Sequence, residues 1–152
     1  MAKVVAISAC LLGEVCRYDG TDNLNEALLN RLQNEGATLV GFCPEDDAYG
    51  TPRPTMDLVE TPQGIRAISN ATGEDLSAPI EAYAKAFFDA HPEVTLFIGK
   101  DRSPSCGVCS AKCYDGAKML ISTSATGLMA QEAKHRGIEA VDAETYLAKA
   151  DV

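Results

Sequence analysis

Short continuous apolar runs alternate along the chain with stretches whose apolar residues return every three or four positions. Lys3–Ala9 (KVVAISA), Thr38–Phe42 (TLVGF) and Val94–Gly99 (VTLFIG) are of the first kind, and Ile138–Val141 reads as a final strand. Runs this short and rich in Val and Ile predict strands covered on both faces. Asp22–Glu35 is of the second kind, with Leu24, Leu28 and Leu32 on one stripe, Thr21 or Asp22 to cap its start, and Gly36 to stop it. Leu76–Ala90 repeats the helical spacing through Ile80, Tyr83, Ala84, Phe87 and Phe88, with Ser77 and Pro79 near its start and His91-Pro92 at its end. Ser124–Arg136, stopped by Gly137, and Asp142–Ala150, capped by Asp142, complete the predicted helices. Gly64–Ser69 (GIRAIS) and Lys118–Ser122 predict short strands, the first at a sheet edge. Pro44 to Pro62 carries four prolines and several acids, and predicts a long loop.

Strands separated by helices imply one α/β domain over residues 1–152, a three-layer open sheet, mostly parallel and Rossmann-like. Ligands of such sheets bind beyond the carboxyl ends of the strands, where strand order reverses. Cys10 and Cys43 stand at two such ends, and Cys106 lies in the loop that leaves a third. A lone cysteine at either end is equally well read as a small buried hydrophobe. Three on one rim point instead to a shared metal or catalytic role. Lys100–Gly116 holds Cys106, Cys109 and Cys113 with no apolar residue larger than Val108 among them, a pattern too polar to predict core.

The remaining composition narrows the chemistry. No apolar run approaches the roughly 20 residues of a membrane span, and Met1-Ala-Lys leads into a strand without a secretory pattern. We therefore expect a cytoplasmic protein, in which six cysteines are more often metal ligands or reactive groups than disulfides. A net charge of −9 opposes a nucleic-acid surface but leaves a free base or nucleoside as a ligand. His91 and His135 fall on helices or helix ends and read as surface or capping groups. An all-thiolate set favours an iron–sulfur cluster or zinc over harder ions. Glu45 follows Cys43 by two residues and Ser103 precedes Cys106 by three. Each is either a loop-stabilising group or a functional one. Arg53, locked between Pro52 and Pro54, is a rigid lid element, a cation aimed at a substrate, or a surface salt bridge.

Three motifs in order carry a resemblance over nearly the whole chain, from residue 3 to about 141. They are Ser8-Ala-Cys-Leu-Leu-Gly13 with Cys16-Arg-Tyr-Asp-Gly20, then Cys43-Pro-Glu45 with Pro52-Arg-Pro54, then Arg102-Ser-Pro-Ser-Cys-Gly107 with Tyr114-Asp-Gly116. Together they resemble the DUF523 family. The resemblance implies a [4Fe–4S] cluster held by Cys10, Cys43 and Cys106 with its fourth iron open, and Glu45 and Ser103 as the catalytic pair. It implies non-redox, hydrolase-type removal of sulfur from a small thiolated pyrimidine such as 2-thiouracil, 4-thiouracil or 4-thiouridine, with release of sulfide. Neither nucleic acid nor membrane is expected as a partner. Two departures stand out. The segment from Pro44 to Asp57 is less apolar than the family leads one to expect, and Cys16, Cys109 and Cys113 lie outside the implied ligand set. Two other readings are a non-catalytic zinc or iron–sulfur protein for metal or sulfur handling, and a thiol redox protein built on Cys106-x-x-Cys109.

Overall fold

In a computed structural model, which describes residues 3–148, the chain runs through β1 (Val4–Ser8), α1 (Glu26–Asn34), β2 (Thr38–Phe42), α2 (Pro44–Tyr49), β3 (Met56–Thr61), β4 (Gly64–Ser69), α3 (Ser77–Ala90), β5 (Leu96–Gly99), β6 (Ala111–Tyr114), β7 (Leu120–Ala125), α4 (Leu128–His135), β8 (Glu139–Asp142) and α5 (Ala143–Ala148). The continuous apolar runs become one parallel sheet in the order β2-β1-β5-β8. Successive side chains of a strand face opposite ways, so a run apolar throughout can bury both faces. Val5, Ile7, Leu96 and Ile98 pack with Leu28, Leu32 and Tyr146 of α1 and α5. On the other face Ala6, Phe42 and Phe97 pack with Ala84, Phe87, Phe88 and Met129 of α3 and α4. Phe42 and Phe97 stack there with ring centroids 4.9 Å apart. These are the three predicted layers.

A second sheet, β4-β3-β6-β7, lies outside that prediction. Its central pair, β3 with β6, is parallel, and the flanking pairs are antiparallel. Strand β3 falls where the prolines predict only loop, as does α2. Strand β6 falls inside the cysteine-rich stretch read as too polar for core. That reading is overturned, because Ala111 and Cys113 are buried beside Leu58, Ala67, Ile80 and Leu128. One face of a short strand needs only two apolar residues, and small ones suffice where a helix lies close. Helix α3 fills both roles, with Phe87 and Phe88 against the first sheet and Ile80 against the second.

Several helix ends also differ from expectation, each for a local reason. Helix α1 starts at Glu26, because the Asn25 side chain, not Thr21 or Asp22, accepts the Leu28 amide at 3.0 Å. Asp22 instead accepts the Leu24 amide in a turn before the helix, which leaves Leu24 exposed. Gly36, at φ +73°, ends α1 as predicted, with the Ala37 amide reaching back to the Leu32 carbonyl. Helix α4 starts at Leu128, since Ser124 and Ala125 belong to β7. Asp142 does not cap α5. Its carboxylate accepts the amides of Val108 at 2.7 Å and Cys109 at 2.9 Å, and Asp101 takes the Glu144 amide in its place. Lys149 and Ala150, predicted in the last helix, lie outside the described residues. Among the described residues no helix is long and apolar enough to cross a membrane.

Candidate active site

Strand order reverses at β1, which has β2 on one side and β5 on the other. Beyond the carboxyl ends of these three strands lies a cavity of about 300 Å³. Cys10, Cys43, Cys106, Glu45, Ser103 and Arg53 all line it. The residues singled out in the sequence thus come together in one place.

Each thiol reaches the cavity by a different device. After Ser8 the chain tightens into a 3₁₀ turn, Ala9–Leu12, which turns Cys10 off the strand and is closed by Gly13 at φ +95°. The Asn23 side chain donates to Cys10 Sγ at 3.7 Å, and its amide donates to the Cys10 carbonyl at 2.9 Å. Cys43 is the residue before α2, where Pro44 at the first helical position and an acidic first turn suit the start of a helix. Its amide donates to the Tyr83 hydroxyl at 3.3 Å. Cys106 is carried back over the end of β5. A side chain at Gly99 would place its Cβ 1.8 Å from the Cys106 carbonyl oxygen, so only glycine permits the approach. Gly127 does the same from the other side, since a Cβ there would lie 2.6 Å from the Ser105 carbonyl carbon.

The polar groups form a second tier. Ser103 Oγ accepts the amides of Ser105 at 3.2 Å and Cys106 at 3.0 Å. Glu45 Oε2 receives a 2.7 Å hydrogen bond from the hydroxyl of Ser105, a residue that sequence reasoning missed. The Arg53 side chain is only 5% exposed, which removes the surface salt bridge as an account of it. Its terminal nitrogens donate to the carbonyls of Cys16 at 2.8 Å and Gly50 at 3.0 Å and to the Thr51 hydroxyl at 2.9 Å, tying two cavity loops together. Arg53 Nε lies 3.7 Å from Glu45 Oε1 and, among the described residues, is the one buried side-chain nitrogen or oxygen without a hydrogen-bond partner. Lys100 also lines the cavity, and burial lowers the pKa of its ammonium.

Burial opposes the thiolate form of all three thiols. It raises Cys10, partly offset by the Asn23 hydrogen bond and the charges of Lys100 and Arg17. It raises Cys43 and pushes Cys106 up to about 12. Thiols so placed give up their protons to a metal centre whose positive charge replaces them. The donor set is sulfur alone, which suits iron–sulfur chemistry. Among the described residues no three His, Cys, Asp or Glu gather closely enough to hold a single metal ion. That disfavours a mononuclear zinc site, whose ligands all converge on one point. An iron–sulfur cluster is larger than a single ion and is held by thiolates, the one donor type that Cys10, Cys43 and Cys106 offer. The residues present fit it.

The other three cysteines divide. Cys16 lines the same cavity, and Cys43 Sγ lies 3.7 Å from its carbonyl oxygen. Cys113 is buried in the second sheet. Cys109 is exposed, with Sγ 3.8 Å from Lys134 Nζ, and it does not line the cavity. Cys106 and Cys109 therefore occupy different settings, which gives the redox-pair reading no support.

The family model for 2-thiouracil desulfurase matches residues 5–145. The uncharacterized protein YbbK of Bacillus subtilis is 28% identical over 151 residues, spanning 89% of this chain and 94% of YbbK. A solved structure of the [4Fe-4S]-dependent thiouracil desulfidase TudS matches with a TM-score of 0.74 at 27% identity, over 95% of this chain and 93% of that one.

Proposed function

The chain belongs to the 2-thiouracil desulfurase family, and on that premise we propose that it removes sulfur from a thiolated pyrimidine, base or nucleoside, at a [4Fe–4S] cluster held by Cys10, Cys43 and Cys106. The observation that carries this reading is the meeting of three thiols from three neighbouring strand ends in a cavity that also holds Glu45. At about 300 Å³ the cavity is at the low end of small-molecule pockets and would hold cluster and substrate together, which favours a small substrate. All six cysteines are free, in keeping with the cytoplasmic setting we infer.

When bound, a cluster with three protein thiolates supplies one iron without a protein ligand, a Lewis acid for the thiocarbonyl sulfur, much as an open zinc position takes a water or a substrate. The overall exchange is hydrolytic and moves no electrons: C=S and H₂O become C=O and H₂S. The protein's part is to activate water and move protons. Glu45 accepts a proton from the attacking water as the C–O bond forms. Ser103, whose oxygen accepts two amides and lies 3.3 Å from Ser105 Oγ, can turn its own proton from that oxygen toward the substrate. Arg53 and Lys100 add positive charge to the walls and favour the negative charge that develops on the ring.

Anaerobic reconstitution followed by assay with 2-thiouracil and 4-thiouridine tests the reading. Sulfide and the oxygenated base should appear together, with iron and labile sulfide present in the protein. Absence of sulfide from either substrate with an intact cluster overturns the substrate class. One zinc per chain and no labile sulfide would assign the protein to metal handling instead.

A further inference from the structure

The hydroxyl that touches Glu45 belongs to Ser105, not to Ser103. Ser105 Oγ donates to Glu45 Oε2 at 2.7 Å, across 60 residues of sequence. Ser105 is 1% exposed, and its backbone is held on every side. Its amide donates to Ser103 Oγ at 3.2 Å, and its carbonyl accepts the amides of Met129 at 2.7 Å and Ala130 at 3.2 Å in the first turn of α4. Gly127 packs on that carbonyl too closely for any side chain. The hydroxyl is therefore carried on a fixed support.

Glu45 has no such support of its own. It projects from α2, a helix of six residues, on a side chain with three rotatable bonds. Among the described residues its carboxylate has one hydrogen bond, the one from Ser105, and one looser ionic neighbour, Arg53 Nε at 3.7 Å from the other oxygen. Each long side chain that is held in one geometry loses rotamer freedom, and a single strong anchor decides which geometry is held. The Ser105 hydroxyl has one proton, and it is spent on the carboxylate. Toward Cys106 Sγ, 3.5 Å away, it offers only lone pairs.

We infer that Ser105 is the positioning residue for Glu45, its hydroxyl fixing Oε2 so that the carboxylate presents Oε1 to the attacking water. This rests on the reading of Glu45 as the group that takes the water's proton. Ser105 also lines the cavity, and its hydroxyl acts through the Glu45 carboxylate to which it donates. Misdirecting a general base costs rate and not affinity, because the substrate is held elsewhere.

The test compares the full chain, reconstituted anaerobically, with Ser105→Ala, Ser105→Thr, Glu45→Gln and the Ser105→Ala/Glu45→Gln double variant. Iron and labile sulfide per chain, kcat and KM for 2-thiouracil, and crystal structures of the wild type and Ser105→Ala are measured. Ser105→Ala should keep the iron and sulfide content, lower kcat about 10- to 100-fold, and leave KM within about twofold. Ser105→Thr should recover most of that loss. In the Glu45→Gln background Ser105→Ala should cost nothing more, since residues acting as one unit are not additive. An equal loss in both backgrounds, or wild-type kcat in Ser105→Ala, overturns the proposal. The crystal structures decide the same point without activity. The Glu45 carboxylate should leave its wild-type orientation in Ser105→Ala, and an unmoved carboxylate overturns the proposal. A wild type that carries its cluster but releases no sulfide sinks the functional reading while leaving that comparison decisive. Should Ser105→Ala not fold, Ser105→Cys, which keeps the volume and offers only a weak donor, carries the same comparisons.

Discussion

The two sheets put the same side chain to opposite uses. In the parallel sheet both faces are covered by helices, so its strands meet open space at their ends, and Cys10, Cys43 and Cys106 stand there. In the second sheet Cys113 sits within β6, faces the apolar interior, and packs among Leu58, Ala67 and Ile80. One thiol type thus serves as a cavity group in the first sheet and as core in the second. The difference teaches that place relative to a strand end, more than residue type or clustering in sequence, decides whether a cysteine borders the cavity. Cys106 and Cys113 are close in sequence and both pack against core, but only Cys106 also borders the cavity.

The contrast is broken most directly at the strand ends. Cys10→Ser, Cys43→Ser or Cys106→Ser, each alone, should abolish the broad visible absorption of the reconstituted cluster, whereas Cys113→Ser should retain it. A retained spectrum in Cys106→Ser, or a lost one in Cys113→Ser, would erase the distinction between the sheets. A smaller effect separates stability from chemistry. Leu58, fully buried in the second sheet, should on replacement by Ala lower the urea-unfolding free energy by about 2–5 kcal/mol. Iron bound per folded molecule should stay unchanged; a proportional fall would show that the second sheet shapes the cavity directly.

The smallest effect sharpens the comparison thiol by thiol in cluster-free protein. The thiolate is the reactive form, so a pulse of iodoacetamide at pH 8 should modify exposed Cys109 first and the buried Cys16, Cys106 and Cys113 last, read by peptide mass. Burial pushes Cys106 up to about 12, which means that its thiolate fraction, and with it the labelling rate, should rise about tenfold per pH unit below that value. A rate for Cys106 that levels off near pH 9 would remove burial as the cause.

How far the chain could be read from its letters follows the same division. Strands buried on both faces write themselves as continuous apolar runs, so VVAIS and LFIG were legible along with the order of layers. Strands buried on one face leave a period of two, and AKCY is too short and its inward residues too small for that period to register. The prolines flanking β3 signalled loop and hid a six-residue strand between them. At the site, the strand-end rule brought out Cys10, Cys43 and Cys106, their neighbours Glu45 and Ser103 stood out by position, and the family motifs suggested a role for each. Arg53 was legible as a constrained cation, but its burial and its grip on two loops belong to tertiary contacts. Ser105 was not legible at all. Nothing in Ser103-Pro-Ser105-Cys106 tells the two serines apart, because their difference is made by α4 pressing on one of them.

The strands that lead to the three thiols are hydrogen-bonded neighbours, β2 to β1 to β5. The spacing of Cys10 and Cys43 is therefore set first by the lateral spacing of a sheet, about 4.7–4.9 Å per strand. Cys106 is brought to them by the loop after β5, packed on Gly99 and Gly127. On the proposed ligand set, loading should require no further folding of the chain, and a protein emptied of its cofactor should be refillable without unfolding.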